Sequence, residues 1–162
     1  MPRRYEDPEP KWFEDFALGD VIETRGRTLE AADFHTFAGL VGNYYPLHVD
    51  EEFGRETRFG TRVGHGSLTL SLAIGLIGMS GYLGDAVVAQ LEIEAVRASA
   101  PVRAGDTLRV IGTVTECDAA EGSRHGRLEI HYSTVNQRGE EVMSFRQKML
   151  VGRKDQRSRK LS

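Results

Sequence analysis

The chain has 162 residues, 40% hydrophobic and 28% charged, enough for one well-buried domain and too few to expect two. Its formal charge of -3, from 21 basic and 24 acidic side chains, offers no basic field to hold nucleic acid. The single Cys117 excludes an intrachain disulfide, and Met1-Pro-Arg-Arg runs into acids and prolines instead of an apolar signal segment, so a cytoplasmic protein is expected.

Residues 1–11 are polar and hold three of the five prolines, which predicts a flexible N-terminal arm. The folded domain is expected over residues 12–153, with a charged C-terminal tail at 154–162. The stretch WFEDFALGD brings an aromatic cluster and a Gly19-Asp20 turn, and a strand is expected near Val21 to Arg27. Ala31, Phe34, Phe37, Ala38 and Val41 recur at three- and four-residue steps, the pattern of an amphipathic helix from Glu30 to Leu40 closed by Gly42. Pro46 disfavours helix at Tyr45, so Asn43 to His48 reads as an exposed turn, and Asp50 is placed to cap a short helix over EEFGRET.

A second turn from Phe59 to Gly66 leads into LTLSLAIGLIGMSGYLG, Leu68 to Gly84, which is apolar on almost every face. It is broken by four glycines and falls short of the roughly 20 apolar residues of a membrane span, so no membrane segment is expected. A buried helix from about Ser67 to Tyr82, wrapped by the rest of the domain, is expected instead. Four alternating stretches follow, near 87–99, 107–119, 126–137 and 141–152, with glycine turns at Gly105, Gly122 and Gly139 between them. The order predicts an α+β domain in which a curved antiparallel sheet of about five strands encloses the central helix.

Chemistry concentrates in GLVGNYYPLHVDEEFG, residues 39–54, and VGHGSLT, residues 63–69. Asn43 and His48 are five apart across Pro46, a spacing that lets both side chains reach one bound atom. His48 can shuttle a proton near neutral pH, whereas the Asn43 amide can hold water or a carbonyl but cannot act as a base. His65-Gly66-Ser67 precedes the buried helix, where unpaired N–H groups and the helix dipole favour a carbonyl oxygen gaining negative charge. Spacing alone leaves open a structural role for His48 and plain turn chemistry for His65 and Gly66. His35, His125 and His131 read as structural, on a helix face, in a turn and in a strand, and Cys117 as an inert thiol. The five histidines and one cysteine lack metal-ligand spacing, and no glycine-rich phosphate loop occurs.

Taken together, WFEDFALGD, FAGLVGNYYPLHVDEEF, TRFGTRVGHGSLTLSL and APVRAGDTL make the chain resemble, over nearly its full length, the MaoC-like dehydratases, the family of (R)-specific enoyl-CoA hydratases with the hot-dog fold. In that family the loop usually reads Gly-Asp-x-Asn-Pro-x-His. Its Asp and His add water to, or remove it from, an acyl thioester, and the glycine after a later His stabilises the thioester oxygen. His48, Pro46 and Gly66 fall on the family's His, Pro and oxyanion glycine. Asn43 stands where the family has aspartate, Tyr45 where it has asparagine, and Ala98 where an aromatic is common.

The resemblance implies a reversible enoyl-CoA hydratase or 3-hydroxyacyl-CoA dehydratase, with His48, Asn43 and Gly66 as its catalytic set. Tyr45, Pro46, His65, Ser67, Arg58, Arg62 and Arg103 are the implied substrate-binding residues. It further implies a homodimer or higher oligomer and an acyl group carried by coenzyme A or acyl-carrier protein, with no separate cofactor and no metal. The bulk of Tyr45 points to a short, branched or carboxylated acyl chain, and the phosphates of coenzyme A are expected to meet arginines among Arg55, Arg58, Arg62, Arg97 and Arg103. Two other readings stay open: a non-catalytic acyl-CoA-binding or accessory subunit, favoured by Asn43, and a thioesterase, for which no acid lies in an obvious position.

Overall fold

In the computed structural model residues 11–154 are described; the expected arm before Lys11 and the expected tail after Lys154 lie outside the described residues. A 3-10 turn, Phe13–Asp15, leads to β1, Val21–Glu23, and β2, Arg27–Thr28. Three helices follow, α1 at Ala31–Val41, α2 at Pro46–Val49 and α3 at Glu51–Glu56, and then the central α4 at Gly66–Met79. The remaining chain is the meander β3, Val87–Ala98; β4, Thr107–Asp118; β5, His125–Val135; and β6, Glu141–Gly152.

The strands form a six-stranded sheet in the order β1-β4-β5-β6-β3, with β2 also on β4. The pairings are antiparallel. Alternation along β4 and β5 sends Leu108, Val110, Val114, Leu128, Ile130 and Tyr132 inward, and Phe145 and Met149 join them from β6. These side chains share one core with Leu68, Leu72, Ala73 and Ile77 of α4. Full burial of each such aliphatic or aromatic side chain contributes about 1.5–3 kcal/mol.

The central helix against a curved sheet and the meander match the expected architecture, with several differences. The strand expected over Val21 to Arg27 is split because the Thr24 hydroxyl accepts the Val110 N–H at 2.9 Å, replacing a carbonyl of the ladder with a side chain. The second piece, β2, brings the sheet to six strands where about five were expected. Asn43 to His48 is not all turn, since Pro46 sits at the first helical position, where its fixed φ and missing N–H suit a helix start, and opens α2. Finally, α4 stops at Met79, short of Tyr82: the Ser80 hydroxyl donates to the Ile77 carbonyl at 2.6 Å and Gly81 takes a left-handed φ of 72°.

The helix is not enclosed on every face. Ser71, Gly75, Gly78 and Met79 of α4 are exposed, opposite the side that meets the sheet. Among the described residues the β3 strand pairs only with β6 and leaves a long free edge carrying exposed Val88, Leu91 and Val96. His125 opens β5 instead of lying in the turn before it, while His35 and His131 lie on α1 and β5 as expected.

Candidate active site

Gly42 ends α1 in the left-handed region, φ 72°, and turns the chain into Asn43. The Asn43 Oδ1 accepts the Tyr45 N–H at 3.2 Å, a local turn that spends the side-chain oxygen on its own backbone. Pro46 then starts α2, which carries His48. Asp50 caps α3 as expected, its Oδ1 accepting the N–H groups of Glu52 at 3.0 Å and Phe53 at 3.1 Å.

The segment before α4 is fastened to this loop, to α3 and to the β3–β4 connection. Val63 N–H donates to the Leu47 carbonyl at 3.2 Å, and Gly64 N–H donates to the Val102 carbonyl at 2.8 Å. Gly54 of α3 lies so close that a Cβ there would sit 2.5 Å from the Arg62 nitrogen. The Val63 carbonyl accepts a hydrogen bond from His48 Nδ1 at 2.7 Å. Because a carbonyl can only accept, Nδ1 carries the proton of the neutral ring, and Nε2 keeps the free lone pair. His48 is thereby set in the tautomer that a base requires.

His65 stands beside it. Its ring stacks on the His48 ring with centroids 3.7 Å apart and planes at 27°, and its Nε2–H donates to the Asn43 carbonyl at 3.0 Å. Burial is the main cause that lowers the His48 pKa from the ordinary imidazole value. The hydrogen bond to Val63 opposes that shift, and the neighbouring His65 adds to it. Tyr45 flanks the pair, its ring edge-on to His48 at 6.0 Å and to Phe53 at 6.1 Å.

Gly66 is the first residue of α4, so its N–H precedes any intrahelical acceptor, and a Cβ at this position would meet nothing within 4 Å. Open space at a helix N-terminus is where a carbonyl oxygen gaining negative charge can approach the backbone. A cavity of about 260 Å³ begins there, lined by Arg58, Phe59, Val63, Gly66 and Thr69 on one side and by residues 98–102 with Met143 on the other. His48 does not line it directly; it is bonded to its wall through Val63.

The structure thus brings together His48, Asn43, Gly66, His65 and Tyr45, with Pro46 and Ser67 exposed at the starts of α2 and α4. His65, expected to touch substrate, is only 2% exposed and instead supports the loop. The five candidate arginines separate. Arg62 pairs with Glu51 at 2.8 Å and Arg55 with Glu52, while Arg103 donates to the Phe59 carbonyl at 3.4 Å. Arg58 lines the cavity with its guanidinium 4.8 Å over the Phe59 ring, and Arg97 lies exposed on β3. Among the described residues no group of three or more His, Cys, Asp or Glu side chains is arranged to hold a metal. Burial pushes the Cys117 thiol up, away from the thiolate, in keeping with an inert cysteine. Sequence reasoning missed the Val63 carbonyl and Thr69, since neither a backbone acceptor nor a lone helix Thr carries a signal in the residue pattern.

Residues 15–136 match the family described as MaoC like domain. The chain is 39% identical over 103 residues to Protein MaoC of Klebsiella aerogenes, a match spanning 64% of this chain and 30% of that protein. It is 32% identical over 104 residues to the (R)-specific enoyl-CoA hydratase of Rhodospirillum rubrum, spanning 64% of this chain and 69% of that protein. Among solved structures it is similar to the MaoC-like dehydratase from Rhodospirillum rubrum, with a TM-score of 0.79 and 29% identity, covering 90% of this chain and 99% of that one. No helix among the described residues is long and apolar enough to cross a membrane.

Proposed function

The chain belongs to the MaoC-like dehydratase family and has its hot-dog fold, and from that premise we propose that it catalyses the reversible addition of water to a 2-enoyl thioester. The observation that carries this reading is the pairing of a histidine base with an open oxyanion position. The Nδ1–H of His48 is held by the Val63 carbonyl, and the unpaired N–H of Gly66 opens the neighbouring helix. Water attacks the β-carbon while His48 Nε2 takes one of its protons. The electrons of the carbon–carbon double bond move toward the thioester oxygen, which the Gly66 N–H stabilises, and His48 returns the proton to the α-carbon. Dehydration is the same path reversed.

Asn43 alters the family's division of labour. Its amide cannot take a proton, and its oxygen is already bonded to the Tyr45 N–H, so the amide Nδ2 is the group left to meet a water or hydroxyl oxygen. All proton transfer therefore falls to His48. A cavity of about 260 Å³ is small beside ligand pockets of roughly 300–1,000 Å³, which favours a short acyl chain. Coenzyme A is the proposed carrier, with Arg58 as the cation best placed for one of its phosphates, because Arg55 and Arg62 are held by glutamates. This substrate goes with a cytoplasmic location. The free β3 edge, with Val88, Leu91 and Val96 exposed, supports a homodimer joined along that strand.

A second reading, an acyl-CoA-binding subunit without turnover, is favoured by the missing carboxylate at Asn43. Product analysis of the purified protein against a panel of 2-enoyl and 3-hydroxyacyl thioesters separates the two. Appearance of the 3-hydroxyacyl product supports the hydratase, binding without product supports the accessory subunit, and release of free thiol would identify a thioesterase.

A further inference from the structure

His65 touches three parts of the site without entering its open space. Its backbone precedes Gly66 as the N-cap of α4, its Nε2–H holds the Asn43 carbonyl at 3.0 Å, and its ring lies on the His48 ring at 3.7 Å. The outer face of the ring is closed by Phe37 of α1, with centroids 5.3 Å apart. The residue is 2% exposed, and its Nδ1 is buried without a hydrogen-bond partner. A buried acceptor left unpaired is destabilising, so a larger apolar residue would be the more stable filling for this position if packing were its only role. What an apolar residue cannot supply is the bond to Asn43.

We infer that His65 is the positioning residue of the base: it locks the Asn43 loop and the His48 ring into one unit, fixed in register with the Gly66 N–H. This rests on the hydratase reading for its purpose, though the geometry it asserts is independent of turnover. Stacking fixes the plane of the His48 ring, and the Val63 carbonyl fixes its rotation within that plane. Together they aim Nε2 in one direction. The bond to the Asn43 backbone carbonyl places that residue's backbone relative to the same ring, although Asn43 and His48 are five apart on a loop. A displacement near 1 Å at such a site costs on the order of a hundredfold in rate.

The groups around His48 make the inference measurable by titration. His65 is its stacked neighbour, Tyr45 faces its edge, and Phe37 and Phe53 close the outer sides of those two rings. The nearby acids are engaged elsewhere, Asp50 with the α3 N–H groups and Glu51 with Thr61 and Arg62. Removing the His65 ring therefore lets water reach His48 and raises its proton affinity toward that of ordinary imidazole, in line with burial as the leading cause of its lowered pKa.

The test uses two substitutions in the full-length protein. His65→Gln keeps a donor for the Asn43 carbonyl and removes the ring; His65→Phe keeps a stacked ring and removes the donor. The His48 imidazole is followed by NMR titration, and kcat and KM are measured on a crotonyl-type thioester. The expected result is a rise in the His48 pKa in His65→Gln but not in His65→Phe, with kcat lowered about ten- to a hundredfold in both and KM changed by less than about threefold. The inference is overturned if both folded variants keep the parental titration and kcat, or if both only melt earlier while His48 titrates as before. If the parent itself hydrates no enoyl thioester, the hydratase reading fails, and the titration of the two variants still decides the role of His65.

Discussion

Replacing Gly54 by alanine is expected to loosen the site from a distance. The added Cβ would stand 2.5 Å from the Arg62 nitrogen, 2.6 Å from the Thr61 carbonyl carbon and 3.0 Å from the Thr61 oxygen. These are backbone atoms, which cannot rotate aside as a side chain would. Since carbon contacts are comfortable near 3.5–4.0 Å, the 61–62 segment has to retreat by about 1 Å. Alanine is preferred over glycine in a helix by about 1 kcal/mol, whereas overpacking costs about 1–3 kcal/mol or more. Because the nearest atoms are backbone at 2.5 and 2.6 Å, the upper part of that range, about 2–3 kcal/mol, applies, and less about 1 kcal/mol it leaves about 1–2 kcal/mol, which lowers the melting temperature of a chain this size by about 2–8 °C. The retreat also carries the Val63 carbonyl away from His48 Nδ1, stretching a 2.7 Å hydrogen bond beyond its range. Turnover of a crotonyl-type thioester is then expected to fall on the order of a hundredfold, since a 1 Å misplacement of a positioned group has that effect. Scanning calorimetry and a steady-state hydration assay measure the two consequences side by side. A variant that melts at or above the parent temperature with parental turnover would refute both the close approach and its link to His48.

Three further outcomes follow from the same geometry. His48→Ala is expected to lower kcat by about 10²- to 10⁴-fold with the fold intact by circular dichroism, because it removes the proposed proton carrier; parental turnover would defeat the mechanism. Asn43→Asp keeps an oxygen for the Tyr45 N–H and adds an acceptor for water, so hydration of a short enoyl thioester is expected to rise about tenfold; an unchanged or lower rate would show a pocket built for the amide. Since the folded pKa of His48 is lowered, the acid limb of the rate profile is expected below about pH 6.5, the ordinary imidazole value. The same shift sets a sign for stability. As pH falls through about 6.5 the unfolded chain binds the proton first, so the contribution of neutral His48 is complete above that pH and drains below it until the folded value is passed. Chemical denaturation from pH 8 to pH 5, compared between the parent and His48→Ala, checks this: the parent should lose more stability on acidification.

The elements that the residue pattern announced are those whose cause lies within one or two turns of chain. The apolar spacing of Phe34, Phe37 and Ala38 marked α1, and Gly42 ended it because a left-handed residue was needed there. Asp50 capped α3 by bonding N–H groups two and three residues on, and alternation drew β4, β5 and β6 to within two residues of their ends. The family resemblance of the loop and of His65-Gly66-Ser67 selected the residues that meet at the candidate site. Tertiary structure alone decided their duties. His48 acquires its tautomer from the Val63 carbonyl, 15 residues away, and every residue has such a carbonyl, so no side-chain identity records the choice. His65 is buried because Phe37 of α1 and the His48 ring close over it, an enclosure that exists only once α1, α2 and α4 have packed. Arg62 is taken up by Glu51 while Arg58 lines the cavity, although the two arginines are four residues apart in the same short stretch. Caps and periodicity are short-range and written in residue type; a hydrogen-bond partner, a burial or a neutralised charge depends on where distant chain segments return in space.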